Sequence, residues 1–137
     1  MAAMDQLLLV AGCALATLAG AIHIYIFVLE TVLWRRPATW RVFGLRSQAD
    51  ADTTSDLAFN QGFYNLFLAA GAFVGVAIVG VIEPAGVALV LASMASMLLA
   101  SVVLISTSKR MLRAAAIQGA LPLVAIALVL SALATRS

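Results

Sequence analysis

Leu7–Trp34 reads LLLVAGCALATLAGAIHIYIFVLETVLW, and this stretch decides the fold. It is longer than the ~20 apolar residues a helix needs to cross about 30 Å of hydrocarbon. Lipid offers the backbone no hydrogen bonds, so a run of this length must satisfy its own amides as a helix. His23 and Glu30 are its only side chains that carry charge near neutral pH, and His23 is the single histidine of the chain. An ionisable group inside a bilayer costs about 2.5–3.5 kcal/mol on insertion scales, so each one marks a candidate site.

The rest of the chain continues the pattern. Of 137 residues, 64% are hydrophobic and 10% charged, where soluble domains carry about 25% charged residues. Four membrane spans follow from the apolar runs, at about 6–34, 55–81, 84–108 and 112–134. Residues 1–137 thus read as a single four-span transmembrane domain, an all-α integral-membrane four-helix bundle. Ile82-Glu83-Pro84 and Lys109–Arg113 are short turns, so the helices they join must be antiparallel. Met1–Gln6 lacks a positive n-region and the run after it is too long for a signal peptide, so the first span is expected to be retained. The lone Cys13 lies in an apolar stretch and reads as a small core residue.

The one long connection, Arg35–Thr54, divides in two. Arg35–Leu45 mixes Trp40, Val42 and Phe43 with arginines, and Pro37 suits the first turn of a short helix. It reads as a short interfacial amphipathic segment. Ser47–Asp56 reads as a polar loop, with Thr53 and Asp56 spaced as a capping box at the start of the second span.

Charge sets the orientation. Arg35, Arg36, Arg41, Arg46, Lys109, Arg110 and Arg113 fall on one side of the membrane, and Arg136 is the one basic residue on the other. By the positive-inside rule both termini are expected on the non-cytoplasmic side of a plasma (inner) membrane. The basic residues flank apolar ends, which excludes a nucleic-acid surface and leaves membrane lipid as the expected partner. Small residues recur four apart at Gly12, Ala16 and Gly20, at Gly71 and Gly75, and at Ala88, Ala92, Ser96 and Ala100. Such lines let helices approach closely within a bundle, or serve a homodimer.

Polar residues converge on the cytoplasmic half. His23 and Glu30 lie almost two turns apart on one helix face, with Phe27 between them and Trp34 beyond. The second span opens with Asn60-Gln61-Gly62-Phe63-Tyr64-Asn65, in which Gln61 and Asn65 share a face. On the fourth span Gln118 precedes Pro122, whose missing N–H frees a carbonyl near Gln118. Counting inward at ~1.5 Å per residue puts Glu30 roughly 6 Å deep, Gln61 roughly 8 Å, Gln118 roughly 9 Å, Asn65 roughly 15 Å and His23 roughly 17 Å.

His23 and Glu30 are therefore the candidate proton-transfer residues. Trp34, Asn60, Gln61, Tyr64, Asn65 and Gln118 are the candidate ligand-binding residues. Trp34 and Tyr64 also suit interfacial anchoring, and Asn60 suits capping or packing. Two good ligands are too few for a closed metal site, so no metal and no cofactor is expected.

His23–Glu30–Trp34, Val42-Phe43-Gly44-Leu45, the Asn60–Asn65 element with Phe67-Leu68-Ala69-Ala70-Gly71, and Gln118-Gly119 with Pro122 together resemble a small integral-membrane family. That family is catalogued as domain of unknown function 1304. The resemblance covers nearly the whole chain, implies four membrane spans, and brings no established activity. The family pattern often carries Ala-Gly-Ile-Tyr-Gly in the third span, where this chain has Ser101–Ser108.

Three functions fit these residues. The leading one is an intramembrane polar pocket, open to the cytoplasmic half, that binds or transforms a small, partly apolar molecule. The second is a proton-coupled small-molecule transporter using Glu30. The third is a structural or interaction subunit in which the polar residues fix helix register.

Overall fold

The computed structural model describes residues 2–135. Six α-helices follow in order: α1 (Ala2–Thr31), α2 (Pro37–Trp40), α3 (Gln48–Thr53), α4 (Ser55–Ile78), α5 (Glu83–Thr107) and α6 (Leu112–Ala134), with one 3-10 turn at Lys109–Met111 and no strand among the described residues. Four of them are long and apolar enough to cross a membrane. The chain is a multi-pass membrane protein with an all-helical fold.

The long helices form a closed ring. α1 packs on α4 and α6, α5 packs on the same two, and α1 and α5 face each other across the diagonal. Each neighbouring pair is antiparallel. Gly62 lies against Thr31 while Gly20 lies against Phe73, Gly75 lies against Val90 and Gly86 against Val79, and Gly12 lies against Val129. The ring inverts the pattern of a soluble bundle. Its outside carries Leu18, Phe67, Leu99 and Leu130, all exposed, whereas its inside buries Ala16, Ala19, Ala72, Ala125 and Ala132 around Met94 and Met97. Where lipid is as apolar as leucine, close packing of small residues brings helices together.

The small-residue lines are used unequally. Gly12 is buried against α6, Gly20 against α4 and Gly75 against α5, and Ala16 is buried in the core. The line on α5 is not: Ala88, Ala92 and Ser96 are exposed, and α5 buries Gly86, Val90, Ser93, Met94, Met97 and Ser101 instead. Both faces of α5 are rich in small residues. The one bearing the methionines fills the core.

The connection 32–54 folds further than its sequence indicates. Pro37 starts α2 as expected, and Arg41 stacks over the Trp40 ring at 5.1 Å. Gly44 adopts φ 80°, the left-handed region that favours glycine, and reverses the chain after Val42-Phe43. Ser47–Asp56 is not a loop. Ser47 caps α3, its Oγ accepting from the Asp50 N–H at 3.1 Å. The expected Thr53–Asp56 box does not form, because the Thr53 hydroxyl donates to the Ala49 carbonyl inside α3. α1 stops at Thr31, so Trp34 belongs to the connection, where its Nε1–H donates to the Ala51 carbonyl at 2.9 Å. Asp52 of α3 pairs with the exposed Arg35 at 3.6 Å. Arg136, the basic residue expected on the opposite side, lies outside the described residues.

Trp34→Phe should loosen this connection alone. The Ala51 carbonyl would keep only a long 3.5 Å contact from Thr54 Oγ1 among its side-chain donors, a loss of about 1 kcal/mol. Hydrogen exchange should accelerate across 37–54 and stay unchanged in α5 and α6. Equal acceleration in all helices would contradict this role.

Candidate functional site

A cavity of about 550 Å³ opens at the end of the ring that carries the connections 32–54 and 108–111. All four long helices contribute to it. α1 supplies Ile22, Tyr25, Ile26, Leu29 and Glu30, and α4 supplies Gln61, Tyr64, Asn65 and Leu68. Ala100, Val103, Leu104 and Thr107 come from α5, and Ala114, Ile117 and Gln118 from α6. Val42 and Phe43 of the connection and Met111 of the 3-10 turn complete the lining. The wall is mostly apolar. Its size falls within the ~300–1,000 Å³ common to small-molecule sites.

Glu30 is the only Asp, Glu, Lys, Arg or His of that lining. It is buried, and its Oε2 accepts from Asn65 Nδ2 at 2.8 Å. The same amide nitrogen donates to the Gln61 carbonyl at 3.2 Å, which fixes its rotamer within α4. The Asn-Gln-Gly-x-Tyr-Asn element makes this bond possible. Gly62 sits one turn before Asn65, where a β-carbon would collide with Thr31 Oγ1. The missing side chain lets α4 approach the last turn of α1. Phe63 packs edge-on against Phe27 at 5.4 Å and closes the same contact on its other side.

The Glu30–Asn65 bond also corrects the depth estimates. Counting from the ends of the apolar runs separated the two residues by roughly 9 Å, yet they touch. α1 ends level with Gly62, so Ser55–Gln61 of α4 extends beyond it beside the connection. The two helices do not share a common end plane, and depth counted from each end misaligns them.

The electrostatics at Glu30 are unfavourable. It lies in the last turn of α1, which carries no basic residue. A helix C-terminus already bears partial negative charge from its unpaired carbonyls, so a carboxylate there is repelled. Asn65 is the one side chain that donates to Glu30 among the described residues, and it reaches one oxygen.

The remaining candidates divide. Gln61, Tyr64 and Gln118 line the cavity. α6 continues unbroken through the buried Pro122, which deprives the Gln118 carbonyl of its i+4 donor. Asn60 is exposed and does not line the cavity. Trp34 is held in the connection and reaches the cavity only through Phe43, on which it packs at 5.0 Å. His23 is fully buried and does not line the cavity either. Its Nδ1–H donates to the Ala19 carbonyl at 2.9 Å, because a carbonyl can only accept. In the neutral ring Nε2 is then a bare acceptor, and it has no partner among the described residues. His23 and Glu30 share a helix face in sequence but not a common space.

Tyr25 and Met111 line the cavity without having stood out in the sequence, and Phe43, noted there for the interfacial segment, lines it as well. Tyr25 could have been found from Glu30, since Ile22, Tyr25, Ile26 and Leu29 form a continuous stripe at three- and four-residue spacing. A second cavity of about 690 Å³ lies toward the opposite end, along Leu9, Cys13 and Thr17 of α1 and the turn after α4. It contains none of the candidate residues.

No curated protein and no solved structure matches the chain. The model of one family does, over residues 17–130, and that stretch contains all eight candidate residues and the whole lining of the first cavity. The chain belongs to the family described as protein of unknown function DUF1304.

Proposed function

We propose that the protein binds a small, partly apolar molecule in the cavity between its four long helices, with the polar end of the ligand at Glu30. The observation that carries this reading is the Glu30 carboxyl itself. It is buried at a helix C-terminus, held on one oxygen by Asn65, and set in the wall of a mostly apolar space that holds no other charged side chain. A carboxyl group kept for stability would be expected to have both oxygens satisfied or a basic partner beside it. Interhelical hydrogen bonds in membranes average only about 0.6 kcal/mol, which does not offset such burial.

In this reading the connections 32–54 and 108–111 face the cytoplasm of the plasma membrane and both termini face away. Arg35, Arg36, Arg41, Arg46, Lys109, Arg110 and Arg113 support that orientation. α2, with Trp40 and the stacked Arg41, lies in the interface. Gln61 and Gln118 orient the polar group of the ligand, and the aliphatic side chains of α1 and α5 hold its apolar part.

The test blocks the cavity without touching Glu30. Ala100 is half-buried on the α5 wall, and Ala100→Trp places an indole in the open space. Protein purified in mild detergent and extracted into organic solvent should release a stoichiometric small amphiphile, read by mass spectrometry. Ala100→Trp should lower that amount about tenfold with the thermal transition held within a few degrees. Equal amounts from both proteins would overturn the assignment of the cavity.

A further inference from the structure

The chemical class of the ligand can be narrowed, on the reading that the cavity is a binding site. We propose that it takes an amphiphile bearing a protonated amine, whose N–H donates to Glu30 Oε1 while its apolar body lies along Ile26, Leu29, Leu68 and Leu104.

Glu30 has no basic partner among the described residues, and no Lys, Arg or His lines the cavity. Oε2 is taken by Asn65, and no group among the described residues donates to Oε1. The carbonyl end of α1 adds negative potential at the same place. Carboxylate and helix end therefore both favour a cation, and both disfavour an anionic headgroup. A neutral alcohol could donate one hydrogen bond to Oε1, but it would leave the charge uncompensated in an apolar wall.

The rings of the cavity point the same way. Tyr25, Tyr64 and Phe43 all line it. The negative face of an aromatic ring attracts an ammonium group, most strongly where water is excluded. Amides at Gln61, Asn65 and Gln118 offer carbonyl oxygens that accept the remaining N–H groups of a primary amine.

The arginines near the opening do not reverse this balance. Arg35 is exposed and paired with Asp52, Arg41 is stacked on Trp40, and Arg36, Arg46, Lys109, Arg110 and Arg113 at the same end are all exposed. Exposed charges are screened beyond about 8 Å at physiological salt. Tyr25 and Tyr64 are themselves more than half exposed, at 62% and 54%, so an amphiphile could also enter sideways from the bilayer.

Three radiolabelled ten-carbon probes that differ only in the headgroup decide the class: decylamine, decanol and decanoate. Binding is measured by equilibrium dialysis against protein in lipid nanodiscs, with empty nanodiscs subtracted. Decylamine should bind at least about tenfold more tightly than decanol, and decanoate should not bind above background. Glu30→Gln should weaken decylamine at least about tenfold and weaken decanol far less, because the alcohol loses one hydrogen bond and no charge pair. Raising the salt concentration should have little effect on the decylamine difference, since the pair is buried. Equal binding of amine and alcohol, or tighter binding of decanoate, would overturn the amine assignment. In that case the cavity reading survives if Ala100→Trp abolishes the binding that remains. No specific binding of any probe to the wild-type protein would overturn both.

Discussion

Gly86→Ala is expected to unfold the contact between α4 and α5. A β-carbon at Gly86 would lie 2.5 Å from the Val79 Cα and 2.6 Å from the Val79 nitrogen. Both are backbone atoms that no rotamer change can move. The Gly75 carbonyl, at 2.8 Å, closes the third side. One methyl group therefore forces the two helices apart over the segment that buries Val90 and Met94. Overpacking costs are typically 1–3 kcal/mol, and with no flexible side chain to yield, a loss of about 3 kcal/mol is expected. Gly80→Ala provides the control, because nothing lies within 4 Å of its β-carbon position. Unfolding in mixed micelles should show the first variant strongly destabilised and the second unaffected. Similar stabilities would mean that α4 and α5 pack differently.

Asn65→Leu should have the next largest effect. It removes the one side-chain donor to Glu30 and leaves a buried carboxyl group in a wall of similar volume. An unsatisfied buried acceptor costs about 1–3 kcal/mol, more when it is charged. The double variant Glu30→Leu with Asn65→Leu should recover much of that loss, because an apolar pair leaves nothing unsatisfied. Stability in the order double variant above Asn65→Leu would show that the damage comes from the stranded carboxyl. A double variant no more stable than Asn65→Leu would show that it comes from packing. Ligand binding should be lost in both.

These effects fall on residues that were legible in the sequence to different degrees. Apolar length alone marks the four long helices, because few structures other than a helix can bury such runs in lipid. Glu30, Gln61, Asn65 and Gln118 stand out for a related reason: polar side chains are rare and costly in that setting. Their convergence at one end followed from antiparallel order. Other features were hidden. Trp34 extends an apolar run by composition, yet the helix ends at Thr31 and its indole serves the connection. The acidic, alanine-rich Gln48–Thr53 reads as loop by polarity, although Ser47 caps it as a helix. Ala88, Ala92 and Ser96 match a packing motif, but alanine and serine fit lipid and core equally well, and Met94 and Met97 decided which face of α5 turned inward. His23 shares a face with Glu30 by period, but the cavity runs along the neighbouring stripe of Ile22, Tyr25, Ile26 and Leu29. Helix period fixes the face a residue shares, and only the packing of neighbours fixes the space it meets.

On the proposed reading Glu30 is buried for a ligand and not for helix register. Glu30→Gln tests it directly, because glutamine keeps the shape and can still accept from Asn65 Nδ2 through its amide oxygen. Unfolding stability and decylamine binding should be measured on the same preparation. The expected result is a stability within about 1 kcal/mol of wild type, or higher, since a buried carboxyl is replaced by a neutral amide, together with at least about tenfold weaker binding. A variant that binds as the wild type does and loses several kcal/mol of stability would contradict it, and would make Glu30 a structural residue.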